Sequence, residues 1–98
     1  ISGRTAQKVS EKMAQIGAHH QILCITHLSQ IAAMADAHFL IEKEVEAGRT
    51  KTGIRELRDE EIYTELARML GGAEITTAVL ENAKEMKQLA DKIKNYSK

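Results

Sequence analysis

Proline and tryptophan are absent from these 98 residues, and the other aromatics amount to one Phe and two Tyr. Without proline the usual marks of an interdomain linker are missing. No repeat or low-complexity stretch takes their place, so the chain reads as one domain or part of one. Large side chains for a core are scarce: 43% of the residues are hydrophobic, but thirteen of these are alanine. A fully buried Leu or Ile contributes about 1.5–3 kcal/mol and an alanine far less. The core is therefore thin for a free-standing domain of this length, which points to a missing partner surface.

Net charge is absent too, with 14 basic residues against 14 acidic ones. A domain that holds nucleic acid through its general field carries a basic excess, so direct DNA contact by this segment is disfavoured. A single cysteine, Cys24, excludes an internal disulfide and fits a reducing cytosol. No run approaches the roughly 18 apolar residues of a membrane span. The opening Ile1-Ser2-Gly3-Arg4 lacks a secretory pattern. Because it starts at Ile rather than Met, the chain is expected to be a piece of a longer protein.

What is present is periodic. Ala6, Val9, Met13 and Ile16 recur at three- and four-residue spacing and predict a helix over residues 5–17. Ser2 or Thr5 can cap its start, and Gly17 stands where a left-handed C-cap is expected. Next comes Gln21-Ile22-Leu23-Cys24-Ile25-Thr26, a short run rich in apolar residues. It predicts a strand buried on both faces, as in a parallel sheet covered by helices. A helix leading into such a strand is the second half of a βαβ unit, whose first strand would precede Ile1. Residues 28–35 predict a short helix. A second strand follows, in which Phe39, Ile41, Lys43 and Val45 alternate with His38, Leu40, Glu42 and Glu44, its early part buried and its later part half-exposed. Ala47-Gly48-Arg49 is a turn and residues 50–58 a return strand, where Gly53 suggests a bulge or weak pairing. Asp59 can cap a helix carrying Ile62, Leu66, Met69 and Leu70, ended by Gly71-Gly72. A last helix from about Glu74 shows the stripe Ile75, Val79, Ala83, Met86, Ala90, Ile93, with Lys84, Lys87, Lys92 and Lys94 on its surface faces.

His27 directly follows the apolar strand. Ligands of open α/β sheets bind outside the carboxyl ends of the strands. An imidazole there can donate to a terminal phosphate oxygen and help place an attacking water; a solvated histidine at a strand end is the alternative, and position alone leaves both open. A metal site is disfavoured. Cys24 and His27 point to opposite faces of a strand, His19 and His20 diverge, and no C-x-x-C or H-E-x-x-H spacing occurs. Cys24 reads as a small buried apolar residue. His27 with Ser29 lacks the elbow and orienting acid of a serine hydrolase. Glu42, Glu44 and Glu46 read as a solvated strand edge, and Glu60-Glu61 as helix-start electrostatics.

The run His19-His20-Gln21-Ile22-Leu23-Cys24-Ile25-Thr26-His27-Leu28, continued by Ser29-Gln30-Ile31-Ala32-Ala33-Met34-Ala35-Asp36, closely resembles the bacterial RecN family. So do Ile1-Ser2-Gly3-Arg4-Thr5-Ala6 and Glu65-Leu66-Ala67-Arg68-Met69-Leu70-Gly71-Gly72. The resemblance covers about residues 1–86 and leaves the lysine-rich tail, 87–98, unmatched. It implies the carboxy-terminal part of an SMC-like ABC ATPase head from a cytoplasmic, nucleoid-associated protein of DNA double-strand-break repair and recombination, within the SOS response. The implied fold is α/β: a partial P-loop NTPase subdomain with one buried parallel-type strand, a β-hairpin and about four helices. His27 would be the switch histidine that contacts the γ-phosphate, and Ile1, Ser2 and Gly3 the tail of the D-loop at the interface between two heads. The implied partners are the remainder of its own head, a second head and, through the intact protein, DNA, with no membrane; the implied cofactors are ATP and Mg²⁺.

Family members usually carry proline where this chain has Ser29, and both residues suit a helix start. The phosphate-binding loop, G-x-x-x-x-G-K-S/T, is absent from these residues. So are the signature motif and the acidic pair that binds Mg²⁺. Phosphoryl transfer needs those parts together, so the segment alone is expected neither to bind ATP appreciably nor to hydrolyse it. The competing expectation is a small non-catalytic protein-interaction module in which His27 is incidental.

Overall fold

The computed structural model describes residues 2–96. Ile1, which the resemblance assigns to the D-loop tail, lies outside them, as do Ser97 and Lys98. The chain forms helix α1 (Gly3–Gly17), helix α2 (Ser29–Ala33), strands β1 (His38–Glu46) and β2 (Arg49–Leu57), helix α3 (Glu60–Gly71) and helix α4 (Thr77–Tyr96). The content is α/β, as expected: four helices and a two-stranded antiparallel sheet.

Helix α1 starts at Gly3, two residues ahead of the expected Thr5, because of the two candidate caps it is Ser2 whose hydroxyl accepts a hydrogen bond from the Thr5 amide at 3.2 Å. Its end differs. Gly17 is the last helical residue and the C-cap is Ala18 in right-handed geometry, so no left-handed cap forms. The buried face differs as well: Ala6 and Ser10 are buried while Val9 and Ile16 are exposed. Ser10 tolerates burial because its hydroxyl turns back onto the Gln7 carbonyl at 2.7 Å.

The largest correction concerns residues 21–26. They form no regular secondary structure and pair with no strand among the described residues, and Leu23 and Ile25 are 89% and 90% exposed. The expected burial on both faces does not occur. Cys24, expected in the interior, is exposed with them. A strand buried on both faces needs neighbours along both edges and helices on both faces, and β1 and β2 pair only with each other.

The hairpin is regular. Nine residue pairs run from His38↔Leu57 to Glu46↔Arg49, and Gly53 sits opposite Glu42 in register, without the expected bulge. Ala47 and Gly48 form the two-residue loop, both with positive φ (53° and 76°), the geometry that matches strand twist in a tight hairpin. Partners across an antiparallel pair share a face, so Phe39, Ile41, Val45 and Ile54 lie together, and all four are exposed. Burial in the hairpin is confined to its base, where Leu57 is buried and His38 and Leu40 are partly buried, and Arg55 reaches α3 through an ion pair with Glu61.

Helices α2, α3 and α4 enclose the core of Ala33, Met34, Leu66, Ala67, Ala83 and Ala90. Leu66 is its one large fully buried apolar side chain, and the alanines let the helices approach closely. Gly71 serves the same purpose: a Cβ there would stand 3.0 Å from Val79 on α4. Gly72 turns the chain out of α3 at φ +74°, where a side chain would be strained. Asp59 occupies the N-cap position of α3 but makes no capping bond. The Glu61 and Ile62 amides donate instead to the Arg58 and Asp59 carbonyls at 3.1 Å, and the Glu61 carboxylate turns back to accept from the Arg58 amide ahead of the helix at 3.3 Å. Its ion pair with Arg55, with that amide bond, holds its pKa below the ordinary carboxylate value. No helix among the described residues is long and apolar enough to cross a membrane.

Candidate functional site

His27 stands at a bend between residues 21–26 and α2. The Thr26 hydroxyl makes the bend by accepting a hydrogen bond from the Leu28 amide at 3.0 Å. The imidazole is exposed and makes no hydrogen bond among the described residues. Helix α2 then begins at Ser29, with Leu28 as an N-cap that provides no side-chain bond.

The start of α1 lies beside the start of α2. A Cβ added to Gly3 would stand 3.3 Å from Nε2 of Gln30. Ser2 and Gly3 therefore reach the same corner of the molecule as the helix that follows His27. Ser2 is engaged in capping, both with the Thr5 amide and with the Thr5 hydroxyl at 3.0 Å.

The far end of α2 holds a second cluster. Lys87, expected on a surface face, is 7% exposed. Its ammonium group donates to the Ala33 carbonyl at 3.0 Å and to the Ala35 carbonyl at 2.8 Å. Lys94 donates to the Ala35 carbonyl at 3.2 Å and to the Asp36 carboxylate at 3.0 Å. Asp91 lies between them, 3.3 Å from each ammonium group. The two lysines, Asp36 and Asp91 border a pocket of about 370 Å³ with Ile62 and Asn95. Burial, reinforced by the neighbouring Lys94 charge, lowers the Lys87 pKa from its ordinary value.

His38, at the start of β1, faces this cluster. Its Nε2 is buried with no hydrogen-bond partner among the described residues. Burial first, then the charges of Lys87 and Lys94, lower its pKa to about 4, so the ring is neutral near pH 7. The expectation of surface lysines missed this cluster, although a signal was present. Positions 87, 91 and 94 recur at helical spacing, placing Lys, Asp and Lys on one face of α4.

His19 and His20 are exposed near the end of α1, apart from these groups. Among the described residues no three His, Cys, Asp or Glu side chains are arranged to hold a metal ion.

Comparison with known proteins gives one consistent answer. The chain is 49% identical over 94 residues to the DNA repair protein RecN of Halalkalibacterium halodurans. It is 45% identical over 94 residues to that of Bacillus subtilis, and 42% identical over 86 residues to that of Vibrio cholerae. The first two matches cover 96% of this chain and the third 88%. The chain spans only 16–17% of the length of these relatives. No protein-family model matches it.

Proposed function

Since this chain is a segment related to bacterial RecN over nearly its whole length, we propose that it is the carboxy-terminal part of the ATPase head of a DNA repair protein. In that reading residues 21–26 are a strand of a parallel P-loop sheet whose other strands belong to the rest of the protein. His27 is the histidine at that strand's end that contacts the γ-phosphate of ATP. The observation that carries the reading is an apolar segment, with Leu23 and Ile25 almost fully exposed, that ends at an exposed histidine with no hydrogen-bond partner among the described residues. The RecN relatives support a role in DNA repair. The intact protein would meet DNA and a second head, with Ser2 and Gly3 near the interface between heads.

The residues present fit part of a nucleotide site. His27 offers a hydrogen-bond donor, while the sequence has no phosphate-binding loop and the described residues hold no acidic cluster for Mg²⁺. ATP and Mg²⁺ would be held by polypeptide outside these 98 residues, and bound ATP would supply the phosphoryl group that the intact protein transfers to water. His27 acts there by donating a proton in a hydrogen bond to a phosphate oxygen as negative charge builds on it. The segment alone does neither binding nor hydrolysis.

The exposed apolar face of Phe39, Ile41, Val45 and Ile54 favours a second reading, a protein-contact module with an incidental histidine. Replacement of His27 in the intact protein separates the two. His27→Ala is expected to retain nucleotide binding while turnover falls by about 10²–10³-fold. Unchanged steady-state ATPase activity would leave only the contact module.

A further inference from the structure

Helix α2 contains five residues, Ser29–Ala33, too few to be stable alone. Its start has no side-chain cap. The Ala33 carbonyl belongs to its last turn, where the carbonyls ordinarily lack intrahelical partners, and the Ala35 carbonyl lies just past the Met34 C-cap. Both are met by ammonium groups that arrive from 52–59 residues further along the chain. These are charge-assisted hydrogen bonds, stronger than neutral ones, and cations at a helix carboxyl end also oppose the helix dipole. Lys94 holds the Asp36 carboxylate as well, so the connection into β1 is fixed at the same point. Asp91 bridges the two lysines on α4 and offsets their mutual repulsion.

We propose that Lys87 and Lys94 are positioning residues that set the place of α2 and, through it, of His27. This rests on the reading of His27 as the γ-phosphate contact. His27 is two residues ahead of α2 and is bonded to nothing else among the described residues. Its location is therefore inherited from the helix, and the helix is anchored by α4. Displacement of a reacting group by about 1 Å costs on the order of 10²-fold in rate. The lysines bond to α2 and the connection that follows it rather than to His27 itself, so nucleotide binding, made elsewhere, is expected to be spared.

The test uses the intact protein. Lys94→Met keeps the length of the side chain and removes its charge at a partly exposed position, so the variant folds more readily than one at buried Lys87. Turnover is expected to fall about 10- to 100-fold with KM for ATP within about twofold of the parent, and Lys94→Arg is expected to recover most of it. In a His27→Ala background Lys94→Met is expected to have no further effect, because residues that act as a unit do not add. Hydrogen exchange supplies a readout independent of activity: amides 29–35 lose protection in Lys94→Met while those of α1 do not. Multiplying effects of the two substitutions, or unchanged protection of α2, would overturn the proposal and leave His27 in its role. A His27→Ala variant of undiminished turnover would remove both.

Discussion

Nε2 of Gln30 lies 3.3 Å from the point where a side chain on Gly3 would begin. The amide of one helix thus rests on the bare backbone at the start of another. A methyl group at position 3 would press on Gln30, whose flexible side chain can yield by a few tenths of an ångström. Gly3→Ala is therefore expected to show the roughly 0.5–1 kcal/mol that alanine gains over glycine in a helix only when Gln30 is also shortened to Ala. Chemical denaturation of the two single variants and the double variant checks this. Strict additivity would show that the two residues do not communicate.

The hairpin loop carries a residue poorly matched to its conformation. Ala47 sits at φ 53°, where Asn and Gly are favoured over alanine in a two-residue hairpin loop. Ala47→Asn is expected to raise stability by about 0.5–1 kcal/mol. Thermal unfolding measures it, and a lowered midpoint would contradict the geometry at the loop.

Acid is expected to destabilise the segment through His38. Its unfolded pKa is near 6.5 and its folded value about 4. Between those values the unfolded chain binds a proton that the folded chain does not, so stability falls as pH drops from 6.5 towards 4. Above 6.5 the ring is neutral in both states and contributes no slope. Allowing for partial solvent access, the loss is about 1–2 kcal/mol. His38→Gln should flatten that part of a denaturation-versus-pH curve; an unchanged slope would place the sensitivity elsewhere. The groups facing His38 are Lys87, Lys94 and Asp91.

The separate segment should also associate with itself. Leu23 and Ile25 are almost fully exposed on a stretch that pairs with no strand among the described residues, and such an unpaired apolar stretch is a template for strand pairing. Light scattering is expected to show concentration-dependent growth that Leu23→Lys together with Ile25→Lys suppresses. A strictly monomeric parent segment would contradict this.

These results separate what was legible in the sequence from what was not. The hairpin, a turn at Ala47-Gly48 (Arg49, expected in the turn, pairs with Glu46), Ser2 as one of two candidate caps and Gly71-Gly72 as a stop follow from local chemistry, and the structure has them. Residues 21–26 carry the pattern of a buried strand, but burial is supplied by neighbours, and a pattern cannot bring neighbours that are absent. The reverse holds for Lys87. A lysine on a helix reads as a solvated residue, and only the approach of carbonyls more than fifty residues away in sequence makes its burial favourable. On α1, Val9 and Ile16 satisfy the apolar stripe yet stay exposed, because Ala6 and Ser10 are small enough for the closer approach. The exposure of His27 could not be read from its type, since a histidine at a strand end is equally at home in either setting.

The central claim is most directly tested by the structure of the intact protein with a non-hydrolysable ATP analogue and Mg²⁺. The account predicts residues 21–26 paired within a parallel sheet and a ring nitrogen of His27 within about 2.7–3.2 Å of a γ-phosphate oxygen. A nucleotide bound with His27 turned to solvent, beyond reach of the γ-phosphate even through a water, would contradict it.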